Sequence, residues 1–330
     1  MYGIERPLRD DILAGLARID AGAESFIQLA PVPRPEDLAG RSQALFFLKP
    51  ELLYPDLDRT KTIDTVGEVL AAASISVGGV ALLGPDRLAQ TIAAHYGMIN
   101  RVSRFGAAAL SEAARTKLQE TFGDQLSAGV PVLGGHEVVE RYDVSPEDLD
   151  AAFKAPTKLA PGTYAVATEI AGTPLVVLNG FHPAQLGHYT APRSRVVALE
   201  IHWSDRSWAS FRTDVVGATR PEQAVAHSVR GVLLARAAEL GIGEVAVSTN
   251  GVHGSAGPVE AMVEVARFLE VDPAQTVLGA ALLAAGVSTT VIEQLTASGD
   301  TGGDLRQKVF DATEEVEPAA AVEYVSRLTP

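Results

Sequence analysis

Asn250-Gly251-Val252-His253-Gly254-Ser255 is the stretch of this chain best equipped for chemistry. Imidazole is mostly neutral near pH 7, so one ring nitrogen can attack phosphorus while an acceptor holds the other. Residues 244–248 read as a strand and residues 258–269 as a helix, which makes the stretch a turn between them. Gly254 is expected to leave room for a substrate beside the ring. Glu260 falls in the first turn of the helix and is expected to fold back and orient the imidazole. Taken alone, a plain surface-loop histidine is the simpler reading, since short motifs often match by chance. Lys49 is the second residue of interest. It closes the apolar run 43–48, and Pro50 stops the strand ladder directly after it.

These side chains need elements to hold them. The run 43–48 reads as a buried strand. Ile63, Val66, Val69, Leu70 and Ala73 recur at helical spacing, 75–83 is a second strand, and 86–96 is a second helix with Leu88, Ile92 and Tyr96 on one face. Residues 195–202 read as a further strand and 222–240 as a long helix. Between them, from about 101 to 178, the character changes. An Ala-rich helix (107–122), a Gly/Pro-rich loop, a helix begun by Ser145-Pro146-Glu147-Asp148 and a hairpin (163–170 with 175–178) suggest an inserted subdomain. Without the insert the order is β-α-β-(α)-β-α-β-α. That order predicts an α/β (α+β) fold, a ferredoxin-like sandwich with helices on one face of an antiparallel sheet. The expected organisation is an N-terminal arm (1–40), a core (41–101 and 179–270), the inserted subdomain (102–178) and a helical C-terminal extension (271–330).

Composition narrows the function classes. The 330 residues carry a net charge of −14, which repels phosphate backbones and anionic lipid surfaces, so neither nucleic acid nor membrane is an expected partner. There is no cysteine, hence no disulfide, zinc thiolate or thiol nucleophile. No apolar stretch approaches the roughly 20 residues of a membrane span, and a cytoplasmic location is expected. His95, His136, His182, His188, His202 and His227 show no metal-ligand spacing on one helix face, so no protein-held metal is expected. No P-loop is present, and Gly78-Gly79 is not a dinucleotide fingerprint.

The Asn250-x-x-His253-Gly254-Ser255 pattern resembles the active-site signature of nucleoside diphosphate kinases. The resemblance extends to Lys49-Pro50-Glu51 for the family's Lys-Pro-Asp, His95-Tyr96 for its His-Tyr pair, Gly217-Ala218-Thr219-Arg220-Pro221 for Gly-Ala-Thr-Asn-Pro, and Val229-Arg230-Gly231 for Ile-Arg-Gly. It covers about 43–101 and 181–269. It implies a phosphohistidine at His253, with Glu260 orienting it and Lys49 near the transferred phosphate. It also implies nucleotide or phosphate contacts from Lys49, Tyr96, Phe181, Arg212, Thr219, Arg230 and Asn250. ATP or another NTP would be the donor, Mg²⁺ would arrive with the nucleotide, and a homo-oligomer is compatible. Departures cluster on the substrate side. Ala256-Gly257 stands where the family has Asp after His-Gly-Ser, and Thr213 stands where it has an arginine six residues before the threonine, with Arg212 one position off. The insert interrupts the segment that walls the family's nucleotide cleft. The acceptor is therefore expected to be either a common nucleoside diphosphate or a specialised small metabolite. The alternative class is a catalytically silent nucleotide-binding or scaffold module.

Overall fold

The structure is a computed structural model that describes residues 2–160, 162–297 and 303–328. The strands in chain order are β1 (Phe26–Ala30), β2 (Ser42–Leu48), β3 (Ser76–Leu83), β4 (Val132–Gly134), β5 (Thr157–Ala160), β6 (Thr163–Ile170), β7 (Thr173–Leu178), β8 (Val196–Trp203) and β9 (Val252–Gly254). They fall into two compact units. The second unit is Ile92–Thr190, so its limits lie outside the expected 102 and 178 on both sides.

In the first unit the sheet order is β1-β3-β8-β2-β9, antiparallel throughout. The Arg59–Ala72 helix joins β2 to β3, and the Val229–Leu240 helix joins β8 to β9. That connectivity with the order β3-β8-β2-β9 is the ferredoxin-like arrangement. Side chains alternate along each strand. Ala44, Phe46 and Leu48 pair in register with Ile201, Leu199 and Val197, and all six enter one core beneath Leu70, Leu233 and Leu240. Leu45 and Phe47 point to the opposite face, where Phe268 of the Pro258–Leu269 helix stacks on Phe47 at 5.1 Å. Burial on both faces is why β2 reads as an unbroken apolar run. Helices Val277–Ala284, Thr289–Thr296, Gly303–Thr313 and Pro318–Leu328 build a separate apolar cluster onto Val259, Met262 and Val263.

The first forty residues are less of an arm than the sequence suggests. The Arg6–Asp20 helix buries Ile12, Leu16 and Ile19 in the main core, and β1 extends the sheet along β3. β1 escapes a pattern search because it has five residues, only Ile27 fully buried, and abuts a proline-rich stretch. Asp20 fastens this segment through Arg59 at 2.5 Å and Arg195 at 3.0 Å. Burial opposes its charge, but the two guanidinium groups outweigh burial and hold the carboxyl below its ordinary 3.8. A depressed carboxyl stabilises the fold above its unfolded pKa, and the contribution is lost as pH falls through the folded value. Asp20→Asn is expected to cost about 1–2 kcal/mol at pH 7, the part-exposed site screening the pair. Thermal melts of the two proteins should converge as the pH is lowered below the ordinary carboxyl value. A constant gap across that range would remove Asp20 as the fastener.

Two further elements differ from expectation. The helix expected over 222–240 begins at Val229, because Pro221–Gln223 forms its own short turn and the Ser228 hydroxyl accepts from Gly231 N at 3.2 Å as the cap. Residues 244–248 form no strand. Thr249 Oγ1 donates to the Glu244 carbonyl at 2.8 Å and Asn250 Nδ2 to the Val247 carbonyl at 3.0 Å, so local side chains take the carbonyls a ladder would need. The strand comes later, at β9, and contains His253.

The second unit has a four-stranded sheet of order β4-β7-β6-β5, with β4 parallel to β7. Val102, Leu118, Leu159, Val176 and Leu178 form one apolar cluster, and Val138, Leu149, Phe153, Val166 and Val177 another. The hairpin and the Ser145-capped helix lie where the sequence predicts them, whereas the three and four residues of β4 and β5 are too short to show a period. Among the described residues no helix is long and apolar enough to cross a membrane.

Candidate active site

β9 is an edge strand laid along the C-terminal half of β2. Lys49 N donates to the Gly251 carbonyl at 2.8 Å and Ser255 N to the Leu45 carbonyl at 3.0 Å, which fixes the register of Phe47 opposite His253. The strand's outward carbonyls meet arginines instead of another strand. Arg230 Nη2 donates to Val252 O at 2.9 Å and Arg212 Nη1 to Gly254 O at 2.7 Å. Two guanidinium groups thus satisfy the open edge. His253 therefore sits on a strand and not in a turn. Its ring lies flat on Phe47, centroids 4.6 Å apart with 19° between planes. Gly254 also has a different reason from the expected one. A Cβ there would come within 2.7 Å of Val216, so packing requires the glycine, not an approaching substrate.

The carboxylate on the ring is Glu264. His253 Nε2 lies 2.9 Å from Glu264 Oε1, and the Ser255 hydroxyl donates to Glu264 Oε2 at 2.6 Å. Glu264 is 1% exposed. With the carboxylate ionised, Nε2 carries the ring proton and the electron pair of the neutral imidazole lies on Nδ1. Glu260, the expected orienting residue, accepts instead from Ala256 N at 2.8 Å and steadies the loop between β9 and its own helix. Burial, and then the Glu264 carboxylate one turn away, push the Glu260 carboxyl well above the usual range. The helix packs its second turn over the strand, so the nearer carboxylate in sequence is not the nearer one in space.

Lys49 ends β2 in a buried position, with Nζ donating to Asn250 Oδ1 at 2.7 Å. Desolvation lowers its pKa to about 8, against a raising influence from Glu51 and with a further lowering from Arg230. Asn250 also donates to the Thr219 carbonyl at 3.1 Å, so one amide joins the end of β2 to the loop carrying Thr219. Arg230 reaches that loop too, through Gly217 O at 2.8 Å. Lys49, Asn250, Arg230, Arg212, Thr219 and His253 are thus brought together by direct or one-step contacts. Arg212 stands on a π-helical turn, Phe211–Val216. Such a turn holds one more residue than an α-turn. Beside it opens a cleft of about 290 Å³, lined by Arg212, Thr213, Ala218, Thr219, Gln223 and Glu315.

Tyr96 and Phe181 belong to the second unit. Tyr96 has its ring centroid 6.0 Å from that of His182 and 6.3 Å from that of Tyr189, while Phe181 lies against Phe153 and Tyr164 at 5.8 and 6.0 Å.

No family model matches the chain, and neither does any curated protein. Among solved structures it is similar to an NDP kinase from Pyrobaculum aerophilum, at 14% identity over 69% of this chain and 95% of that one, with a TM-score of 0.32.

Proposed function

We propose that the protein is a phosphotransferase that moves the γ-phosphoryl group of an NTP through His253 to a second substrate. The observation that carries this reading is the His253–Glu264 pair, an imidazole with Nε2 2.9 Å from a buried carboxylate. His253 Nδ1 attacks the γ-phosphorus. The bond to the bridging oxygen breaks and the nucleoside diphosphate leaves with the electron pair. Glu264 stabilises the cationic ring of the phosphohistidine. Lys49, Arg212 and the Thr219 hydroxyl supply the donors such a transfer requires around the equatorial oxygens, and Mg²⁺ enters as part of the metal–nucleotide substrate. Nucleotide contacts from Arg230 and Asn250 complete the proposal.

The test is brief incubation with γ-labelled ATP, followed by measurement of acid-labile, alkali-stable label on the protein. Stoichiometric label is expected. Nucleotide binding without label would instead leave a silent binding module.

Lys49 allows a second check, and the sign of its shift matters. A lysine whose folded pKa is depressed destabilises the fold while charged, so the penalty is present below about 8 and fades as pH rises towards the ordinary 10.5. Lys49→Met is therefore expected to leave the fold as stable at pH 7, or more stable by on the order of 1 kcal/mol. Nucleotide affinity, by titration calorimetry, should fall about tenfold or more at that pH. The parent's affinity should itself decline above pH 8, and the variant's should not. Affinity equal to the parent's would take Lys49 out of the phosphate site.

A further inference from the structure

Glu315 lies in the turn between the Gly303–Thr313 and Pro318–Leu328 helices, far along the chain from the other residues that line the cleft. The turn is locked against the loop that follows His253. Glu315 N donates to the Ala256 carbonyl at 2.9 Å, and Glu317 accepts from Trp208 N at 3.0 Å. Gly257 meets the turn so closely that a Cβ would stand 2.2 Å from Thr313 O. Glu315 itself adopts a left-handed backbone, φ 56°, which a residue with a Cβ holds only where the surroundings impose it. The outcome is a half-exposed carboxylate lining the cleft, with Oε1 3.9 Å from Arg212 Nε.

A carboxylate is out of place in a cleft built only for phosphate, since it repels the ligand that Arg212, Thr213 and Thr219 would attract. It is in place if the acceptor must lose a proton. The terminal phosphate of a nucleoside diphosphate attacks as an oxyanion and needs no base. An alcohol holds its proton at neutral pH and needs one in the transition state. Building on the phosphohistidine reading, we infer that Glu315 is the general base for a hydroxyl acceptor, and that the second substrate is an alcohol-bearing small metabolite. In the step, the acceptor oxygen forms a bond to phosphorus and its proton passes to the Glu315 carboxylate. The phosphorus–Nδ1 bond breaks and its electron pair returns to the ring.

The experiment needs no knowledge of the natural acceptor, because water is itself a hydroxyl acceptor. Parent, Glu315→Gln and Glu314→Gln are loaded with γ-labelled ATP, freed of nucleotide and divided. One portion is chased with ADP, the other left in buffer alone or with glycerol, ribose or myo-inositol. Glu315→Gln is expected to lower the ratio of hydroxyl discharge to ADP discharge by about 10²–10⁴-fold. Glu314→Gln, next in the chain but not lining the cleft, should hold that ratio within about twofold. A ratio unchanged in Glu315→Gln, or lowered equally in Glu314→Gln, overturns the assignment. Failure of the parent to load at all is seen before any chase, and overturns the phosphohistidine reading beneath it.

Discussion

Replacement of His253 by alanine is expected to abolish acid-labile labelling by γ-labelled ATP and to lower turnover on the order of 10⁴-fold or more, because the imidazole that would carry the covalent intermediate is gone. The fold should survive. The ring is 19% exposed and occupies one side of Phe47, on which Phe268 also stacks. Ser255 still donates to Glu264, so the buried carboxylate keeps a partner. Circular dichroism and a melting temperature close to the parent's are therefore part of the expected result. Label at parental levels on the alanine variant would show the phosphoryl group to be elsewhere and end the proposed mechanism.

Glu264→Gln is expected to slow phosphoenzyme formation by about 10²–10³-fold. His253 Nε2–H meets one oxygen of the carboxylate and the Ser255 hydroxyl the other. An amide has only one oxygen. One of the two donors must face an NH₂ group, and the negative charge opposite the developing imidazolium is gone. Glu260→Gln keeps an oxygen for Ala256 N and is expected to cost less than about tenfold, since it holds a loop and not the ring. The comparison is made by single-turnover quench, with both variants saturated in ATP. If Glu260→Gln were the slower protein, the orienting role would belong to the first turn of the helix after all.

That contrast marks where sequence reasoning reached and where it stopped. His253, Lys49 and Asn250 stand out in the sequence as candidates, because each sits in a short segment whose spacing is local. Lys49 and Asn250 lie 201 residues apart, and their contact emerges only in the folded chain. Glu264 is not legible in the same way. Which turn of the Pro258–Leu269 helix faces His253 depends on how the helix packs across β2, and Phe268 on Phe47 decides that. The displaced strand has a plain cause. Residues 244–248 have β-branched alternation, but Thr249 and Asn250 claim their carbonyls, and the ladder forms over three residues at β9. The carboxylate of Glu315 gave no signal at all, because nothing near it in sequence belongs to the site.

The strand order has a consequence for how the chain is born. β2 and β3 are not neighbours; β8 lies between them. When the first 91 residues have left the ribosome, β3 can pair only with β1, and β2 has no partner on either side. Both must wait for residues 196–203, with the whole of Ile92–Thr190 synthesised in between. At about 5–20 residues per second that is a delay of several seconds or more, with an apolar strand open at both edges. Such edges template pairing between chains. The apolar clusters of the intervening unit are drawn from its own residues, so it can collapse while the sheet waits. Closure of the sheet is therefore a late, long-range event, and crowded polysomes carrying this message are where its misassembly should begin.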